Sequence, residues 1–270
     1  MSSSRFLACL ADTRRHEGGY STNRADPGNW TGGKVGKGEL KGTKAGIAAS
    51  SHPNLDIKNL TDAQIAQIYE AEYWRVVRGD DLPAGVDLTT FDYGVNSGNV
   101  RSIKALQKAS GTVQDGKVGP ATLAAVRAKS PTKLIQTIND ARLGFLQGLT
   151  NWTTFGKGWG ARVGDIRARS LLMAGAAIAD LQAIASNDNK KAQADEKGAT
   201  AVIAAGTGSG TGAVAGSVPS DQLVNFNWTT VVGLAVAAGV LVVCGVVLKR
   251  RAQARRAMAD ATLAVMAEAA

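Results

Sequence analysis

Two carboxylic side chains near the N-terminus have the types and spacing that glycosidic chemistry requires. Glu17 opens the segment Glu-Gly-Gly-Tyr at the end of a short amphipathic stretch, and Asp26 follows after eight intervening residues. Cleavage of a sugar–sugar bond uses one acid that protonates the leaving oxygen and a second group that supports the cationic transition state or activates water. A Gly-Gly turn after a helix can leave a glutamate facing a cleft. The alternative is that Glu17 is a solvated charge at a helix end.

Aromatic and amide side chains close to these carboxylates in the sequence are candidates for binding a sugar. Sugar rings stack on aromatic faces, so Tyr20, Trp74 and Tyr93 are expected to line a glycan cleft. Asn96 ends an apolar helical segment, where its amide could hydrogen-bond an N-acetyl group or position a water. The alternative for Trp74 is a place in the core, where tryptophan commonly seals helix packing.

The elements that must position these residues are mostly helices. Apolar residues recur at helical spacing over much of the first 185 residues. The predicted helices cover 5–17, 61–77, 86–96, 98–109, 120–128, 131–150 and 161–185. The glycine-rich stretch 18–44 cannot form a stable helix and predicts a β-hairpin or loop region.

Three short motifs occur in a fixed order near the N-terminus: E-G-G-Y at Glu17–Tyr20, D-P-G at Asp26–Gly28 and T-x-x-G-I at Thr43–Ile47. Together they resemble the start of the bacterial and phage N-acetylmuramidases of glycoside hydrolase family 108. Residues 60–98 resemble the rest of that domain. Several separated motifs in one order are far more specific than any one of them.

The resemblance continues beyond the first domain. Segments 102–126 and 141–163 resemble the peptidoglycan-binding module that accompanies the family's catalytic domain, so the similarity covers about residues 5–180. It implies a mainly α fold: a lysozyme-like helical domain with a small β-hairpin or loop region at 1–98, and a helical peptidoglycan-binding module packed on it at 99–185.

The resemblance also implies an activity, which is hydrolysis of the β-1,4 bond between N-acetylmuramic acid and N-acetylglucosamine in peptidoglycan. It makes Glu17 the general acid, Asp26 the second carboxylate and Thr43 a hydroxyl that positions water; Thr31 is the alternative to Thr43. Phage-type lysozymes share the E-x8-D spacing of Glu17 and Asp26. Two other functions remain open, a lytic transglycosylase and a wall-binding membrane anchor without activity.

Composition agrees with a wall substrate. The chain has 270 residues and a formal net charge of +9, which suits an anionic polymer such as peptidoglycan with its attached glycans. The positive residues are scattered, without zinc-finger spacing, an RNP motif or a long basic run, so nucleic acid is not expected as a partner. With two cysteines and two histidines, the sequence predicts no disulfide framework, no metal site and no cofactor.

The C-terminal third predicts a different organisation. Residues 186–222 are rich in small and charged residues and indicate a flexible linker. An uncharged apolar run at 231–248 follows, which predicts a transmembrane helix at 228–248 with Trp228 at the interface. A basic tail occupies 249–270.

These C-terminal features predict a location. They indicate a single-pass inner-membrane protein, anchored near its C-terminus and acting on periplasmic peptidoglycan. The N-terminus has no secretory signal pattern, so a holin partner or membrane collapse is the expected means of access to the wall, and the initial side of the enzyme stays open.

Overall fold

The chain is mainly helical. The computed structural model describes residues 2–211 and 228–270. Its α-helices are α1 (Ser4–Arg14), α2 (Asp62–Tyr69), α3 (Val86–Ser97), α4 (Asn99–Ser110), α5 (Pro120–Arg127), α6 (Pro131–Gln147), α7 (Trp152–Met173), α8 (Ile178–Thr211) and α9 (Trp228–Ala269). Strands β1 (Thr43–Lys44) and β2 (Ile47–Ala48) form a sheet. Short 3₁₀ helices lie at Pro27–Asn29 and Gly79–Asp81, and a π-helix lies at Glu70–Trp74.

Side-chain caps fix where the first two helices begin. At the start of α1 the Ser3 hydroxyl oxygen accepts a hydrogen bond from the Phe6 N–H at 3.2 Å. At the start of α2 the Thr61 and Gln64 side chains each accept a bond from the other's backbone N–H, at 3.2 and 2.9 Å. Such caps satisfy amides that have no partner within the helix, and each is worth about 1 kcal/mol.

The hairpin of β1 and β2 has a tight two-residue turn. Thr43 pairs with Ala48 and Lys44 pairs with Ile47 in an antiparallel register. The turn residues between them, Ala45 and Gly46, have φ values of +48° and +74°. Positive φ at both central positions is what a type I′ turn requires, and this turn matches the natural twist of the strands.

The chain forms two compact units, and the first contains the motif residues. It comprises Met1–Arg142 with Ile166–Ala176. An aromatic cluster lies in its core: the ring of Phe6 from α1 lies 5.5 Å from Trp74 and 6.0 Å from Phe91, centroid to centroid. Helix α3 runs through this core and is buried from Val86 to Gly94.

The second compact unit comprises Leu143–Asp165 with Ala177–Ala270. Within it, Gly160 and Gly164 of α7 allow a close approach to α9. A Cβ on Gly160 would lie 2.6 Å from the backbone oxygen of Ala254, and a Cβ on Gly164 would lie 2.5 Å from that of Met258. Trp152 and Val163 are buried in the same cluster. Small residues therefore set the distance between these two helices.

The predicted flexible linker is wrong for residues 186–211, which are part of helix α8. This helix runs antiparallel to α9 and is tied to it by ion pairs, Asp195 with Arg255 at 3.0 Å and Glu196 with Arg256. The segment has few large apolar residues, but alanine and glycine suffice for close helix packing. The rest of the predicted linker, 212–222, lies outside the described residues.

The predicted transmembrane helix at 228–248, and with it the inner-membrane location, is wrong. In the parts of the chain that the structure describes, no helix has the length and apolar character needed to cross a membrane. Residues 228–248 begin α9, which continues without a break through the basic segment to Ala269. The apolar run was expected to lack a packing partner within the chain, whereas α8 lies against it, with the Ile203 side chain close to Gly245.

Candidate active site

Glu17 is placed by the turn that follows α1. The helix ends at Arg14, and the Glu17 N–H donates to the Arg14 carbonyl at 3.1 Å. Gly18 and Gly19 come next and have open space around them. The Glu17 side chain is half-buried. A glutamate at the end of a core helix, followed by a glycine turn, is thus held at the edge of the first compact unit.

The β-hairpin turn lies directly against the Glu17 carboxylate. The Ala45 N–H donates to the Gly18 carbonyl at 3.1 Å, and the buried Tyr69 hydroxyl donates to the Ala45 carbonyl at 2.7 Å. A Cβ on Gly46 would lie 2.9 Å from Glu17 Oε2 and 2.9 Å from the Tyr69 hydroxyl oxygen. The turn needs glycine here both for its positive φ and for this close approach.

Glu17 lines a small pocket with a second carboxylate. The wall is formed by the hairpin, by the turn after it, by α2 and its π-helical continuation and by α3; its residues are Glu17, Gly46, Ile47, His52, Ile68, Tyr69, Glu72, Tyr73 and Val95. The pocket holds about 50 Å³ of space open to water molecules. One water needs only about 10–15 Å³ of such space, so the pocket has room for water.

Glu72 and His52 lie side by side on this wall. Glu72 Oε1 lies 3.6 Å from His52 Nε2. Burial raises the pKa of the Tyr73 phenol, which lines the same pocket, and the negative charges of Glu72 and Glu17 raise it further. The pocket therefore combines two carboxylates, an imidazole and two phenol hydroxyls, which is a donor and acceptor set suited to proton transfer.

Asp26 has a local role at the start of a 3₁₀ helix. Its side chain is exposed, and Oδ1 accepts a hydrogen bond from the Gly28 N–H at 2.8 Å. Among the described residues, the wall of the Glu17 pocket does not include Asp26. The structure thus brings Glu17 together with Glu72, and it places Asp26 on the adjacent glycine-rich loop.

The two threonine candidates lie in different elements, Thr43 in strand β1 and Thr31 in a loop. Thr43 is half-buried in β1, and its backbone exchanges two hydrogen bonds of 2.9 Å with Ser21. Thr31 uses its hydroxyl oxygen to accept the Glu39 N–H at 2.9 Å, which closes the loop between them. Thr43 therefore belongs to the hairpin that covers Glu17, while Thr31 stabilises a neighbouring loop.

Tyr20 and Asn96 are accessible, as a binding role requires. Tyr20 is 41% exposed, and its hydroxyl donates to the Lys41 carbonyl at 3.2 Å. Asn96 is half-buried near the end of α3 and accepts a hydrogen bond from the Ser97 hydroxyl at 3.0 Å. Its neighbour Val95 lines the Glu17 pocket.

Trp74 and Tyr93 are core residues, so their predicted place on a glycan cleft is wrong. They are 1% and 2% exposed. Trp74 packs edge-on against Phe91 at 5.5 Å, and Tyr93 lies beneath the Arg142 guanidinium at 5.5 Å. A ring with both faces covered cannot stack on a sugar. The signal was present in the sequence, since both residues recur at helical spacing with other apolar residues.

Three other residues of the pocket wall, His52, Tyr69 and Glu72, were not predicted from the sequence to lie there. His52 follows the hairpin by a few residues, while the other two lie on the helix that starts at Asp62. Tyr69 and Glu72 are three positions apart, which places them on one helical face, but nothing in the sequence aligns that face with Glu17. In the described residues, no group of histidine, cysteine and acidic side chains is arranged to hold a metal ion.

Comparison with known proteins identifies the family of both parts of the chain. The family model for glycosyl hydrolase 108 matches residues 10–98, and the model for a predicted peptidoglycan domain matches residues 101–163. No curated protein matches the chain. Among solved structures, the chain is similar to Brucella abortus SagA, with 38% identity and a TM-score of 0.53 over 63% of this chain and 95% of that one. The family model matches the first domain, and a solved relative with 38% identity is covered over 95% of its length. The chain therefore belongs to the glycosyl hydrolase 108 family.

Proposed function

We propose that Glu17 is the general acid with which this chain, a peptidoglycan hydrolase of the muramidase type, cleaves the β-1,4 bond between N-acetylmuramic acid and N-acetylglucosamine. The observation that supports this most is the close fit of the hairpin turn over the Glu17 carboxylate. A half-buried carboxyl that a hairpin turn covers on one side and that lines a pocket on the other can hold a proton toward a leaving oxygen.

In this proposal the other motif residues act on the sugar and the water. Asp26, on the exposed loop, supports the positive charge that develops on the ring, and Thr43, on the hairpin, positions water. Tyr20 and Asn96 are proposed to contact the glycan at the edges of the site. Developing charge is stabilised best by groups that are already held in place. The bond from the Gly28 N–H holds the Asp26 side chain, and the backbone bonds to Ser21 hold Thr43 in its strand.

The division of labour along the chain is also a proposal. Residues 1–98 carry the cleavage site, and residues 99–185 hold the glycan strand. The net charge of +9 favours association with an anionic wall polymer and would make that association sensitive to salt.

A lytic transglycosylase is the second candidate, because Asp26 is not on the wall of the Glu17 pocket. Transglycosylases need only one acid and release anhydro-muramic ends. Mass spectrometry of muropeptides from purified peptidoglycan separates the two reactions. Hydrolysis gives reducing muramic ends that carry one added water, whereas products with anhydro ends would reject the muramidase proposal. If the wild-type protein clears no peptidoglycan in a zymogram on the same material, it is a wall-binding protein without hydrolytic activity.

A further inference from the structure

The pocket around Glu17 contains a carboxylate that the motif pattern does not include. Glu72 lines the same wall as Glu17, and its side chain is 45% exposed, so it is open to solvent. Asp26, by contrast, caps the Gly28 amide on a separate loop. Glycoside hydrolysis by a single displacement needs a base beside the attacking water, across the bond from the acid.

The backbone at Glu72 is unusual. It lies within the π-helical segment Glu70–Trp74, which widens the helix after α2, as the 2.9 Å hydrogen bond from the Arg75 N–H to the Glu70 carbonyl shows. The Asn99 side-chain amide donates to the Glu72 carbonyl at 2.7 Å. Single π-helical turns are rare and occur frequently at functional sites.

An imidazole on the hairpin side lies beside the Glu72 carboxylate. His52 is 16% exposed and lies 3.6 Å away, and its backbone N–H donates to the Ala48 carbonyl of β2 at 3.1 Å. The contact therefore joins the π-helix to the hairpin that covers Glu17. The space between these elements has room for water but is far smaller than a drug-sized ligand site of about 300–1,000 Å³.

We propose that Glu72 is the general base of the reaction and that His52 is its positioning residue; this inference rests on the proposed function. Glu72 removes one proton from a water whose oxygen bonds to the anomeric carbon. The bond from that carbon to the glycosidic oxygen breaks, and Glu17 gives its proton to the departing oxygen. The proton on Glu72 then returns to Glu17 through solvent, so one water is consumed and the product has inverted configuration.

The test uses the full chain with Glu72→Ala on a soluble peptidoglycan fragment. We expect kcat to fall by about 10²–10⁴-fold, the usual contribution of acid–base catalysis, with little change in KM. Azide needs no base and should restore turnover of this variant by giving an α-glycosyl azide. Glu72→Gln should show the same loss. His52→Gln should lower kcat by less than Glu72→Ala, and the matched control Glu70→Gln, on the same π-helical segment but off the pocket wall, should retain wild-type kcat.

Three results would overturn the inference: wild-type kcat in Glu72→Ala, a loss in a folded variant that azide does not relieve, or product with retained configuration. Circular dichroism of each variant separates a folding defect from a chemical one. If Glu72→Ala does not fold, the activity of Glu72→Gln and the configuration of the wild-type product test the base assignment. The parent proposal fails separately. An active Glu17→Gln variant rejects the acid assignment, whereas an inactive Glu17→Gln beside an active Glu72→Ala rejects only the base.

Discussion

At the residue scale, the proposed role of Glu17 depends on the close approach of Gly46 to its carboxylate. In Gly46→Ala the new Cβ would be forced to within 2.9 Å of the carboxylate and of the Tyr69 hydroxyl. Displacement of a catalytic group by about 1 Å can cost about 10²-fold in rate, so we expect a fall of that order in kcat. Gly36→Ala is the matched control: its φ of +77° imposes the same backbone strain, but its Cβ meets nothing within 4 Å. Equal kcat in the two variants would contradict the role of the close approach.

Two substitutions at Asp26 separate the effect of its negative charge from that of its hydrogen bond to the Gly28 N–H. Asparagine caps about as well as aspartate, so Asp26→Asn keeps the bond to the Gly28 N–H and removes only the charge. We expect activity on purified peptidoglycan to fall by about tenfold or more if the charge supports the transition state. Asp26→Ala should lose the cap as well, at a cost of about 1 kcal/mol in stability measured by denaturant unfolding. Wild-type activity in Asp26→Asn would leave Asp26 as a turn former.

At the element scale, the hairpin is attached to α2 by the Tyr69 hydroxyl. This group is buried and donates to the Ala45 carbonyl at 2.7 Å. Tyr69→Phe removes the donor and leaves a buried acceptor, which should cost about 1–3 kcal/mol of unfolding free energy and lower kcat as the turn loosens. The comparison is Tyr20→Phe, whose hydroxyl bond is exposed, so its unfolding free energy should change little. Equal stability losses would mean that the buried bond does not fix the hairpin.

The sequence predicted the helices well and the pocket only in part. Apolar spacing located α3, α4 and α5 to within about two residues, because helical periodicity follows directly from burial of one face. The helix predicted over 61–77 changes to a π-helix at Glu70, and periodicity does not show such a change. Glu17 was a candidate from the sequence because its motif is local, and its catalytic role stays a prediction. Glu72 and His52 were not candidates, because tertiary packing alone brings them to Glu17.

At the scale of the whole molecule, the first compact unit contains the Glu17 pocket by itself. A fragment of residues 1–176 keeps that unit complete and omits α8 and α9. We therefore expect its kcat on soluble glycan fragments to equal that of the full chain. Its unfolding temperature and solubility should fall, because Trp152 and Val163 lose the cover of Ala254 and Met258. A folded but inactive fragment would show that α8 or α9 takes part in the active site.

Whole-molecule reasoning from the sequence failed at the C-terminus for a physical reason. An apolar run is assigned to a membrane when the sequence shows no segment that could pack against it. The composition of the segment around Ile203 did not identify it as such a packing partner. Its alanines and glycines nevertheless let α8 approach the backbone of α9 at Gly245. Small side chains allow dense packing without high hydropathy, so a hydropathy pattern does not reveal such a helix pair.

The most direct test of the central claim is the turnover of Glu17→Gln on purified peptidoglycan. Glutamine keeps the shape of the side chain but cannot donate the proton, so we predict that kcat falls by about 10²–10⁴-fold while the unfolding temperature stays near that of the wild type. Glu39→Gln is the control, since that carboxylate is 76% exposed and pairs only with Lys41 among the described residues. A Glu17→Gln variant that retains more than about a tenth of wild-type turnover would contradict the assignment of Glu17 as the general acid.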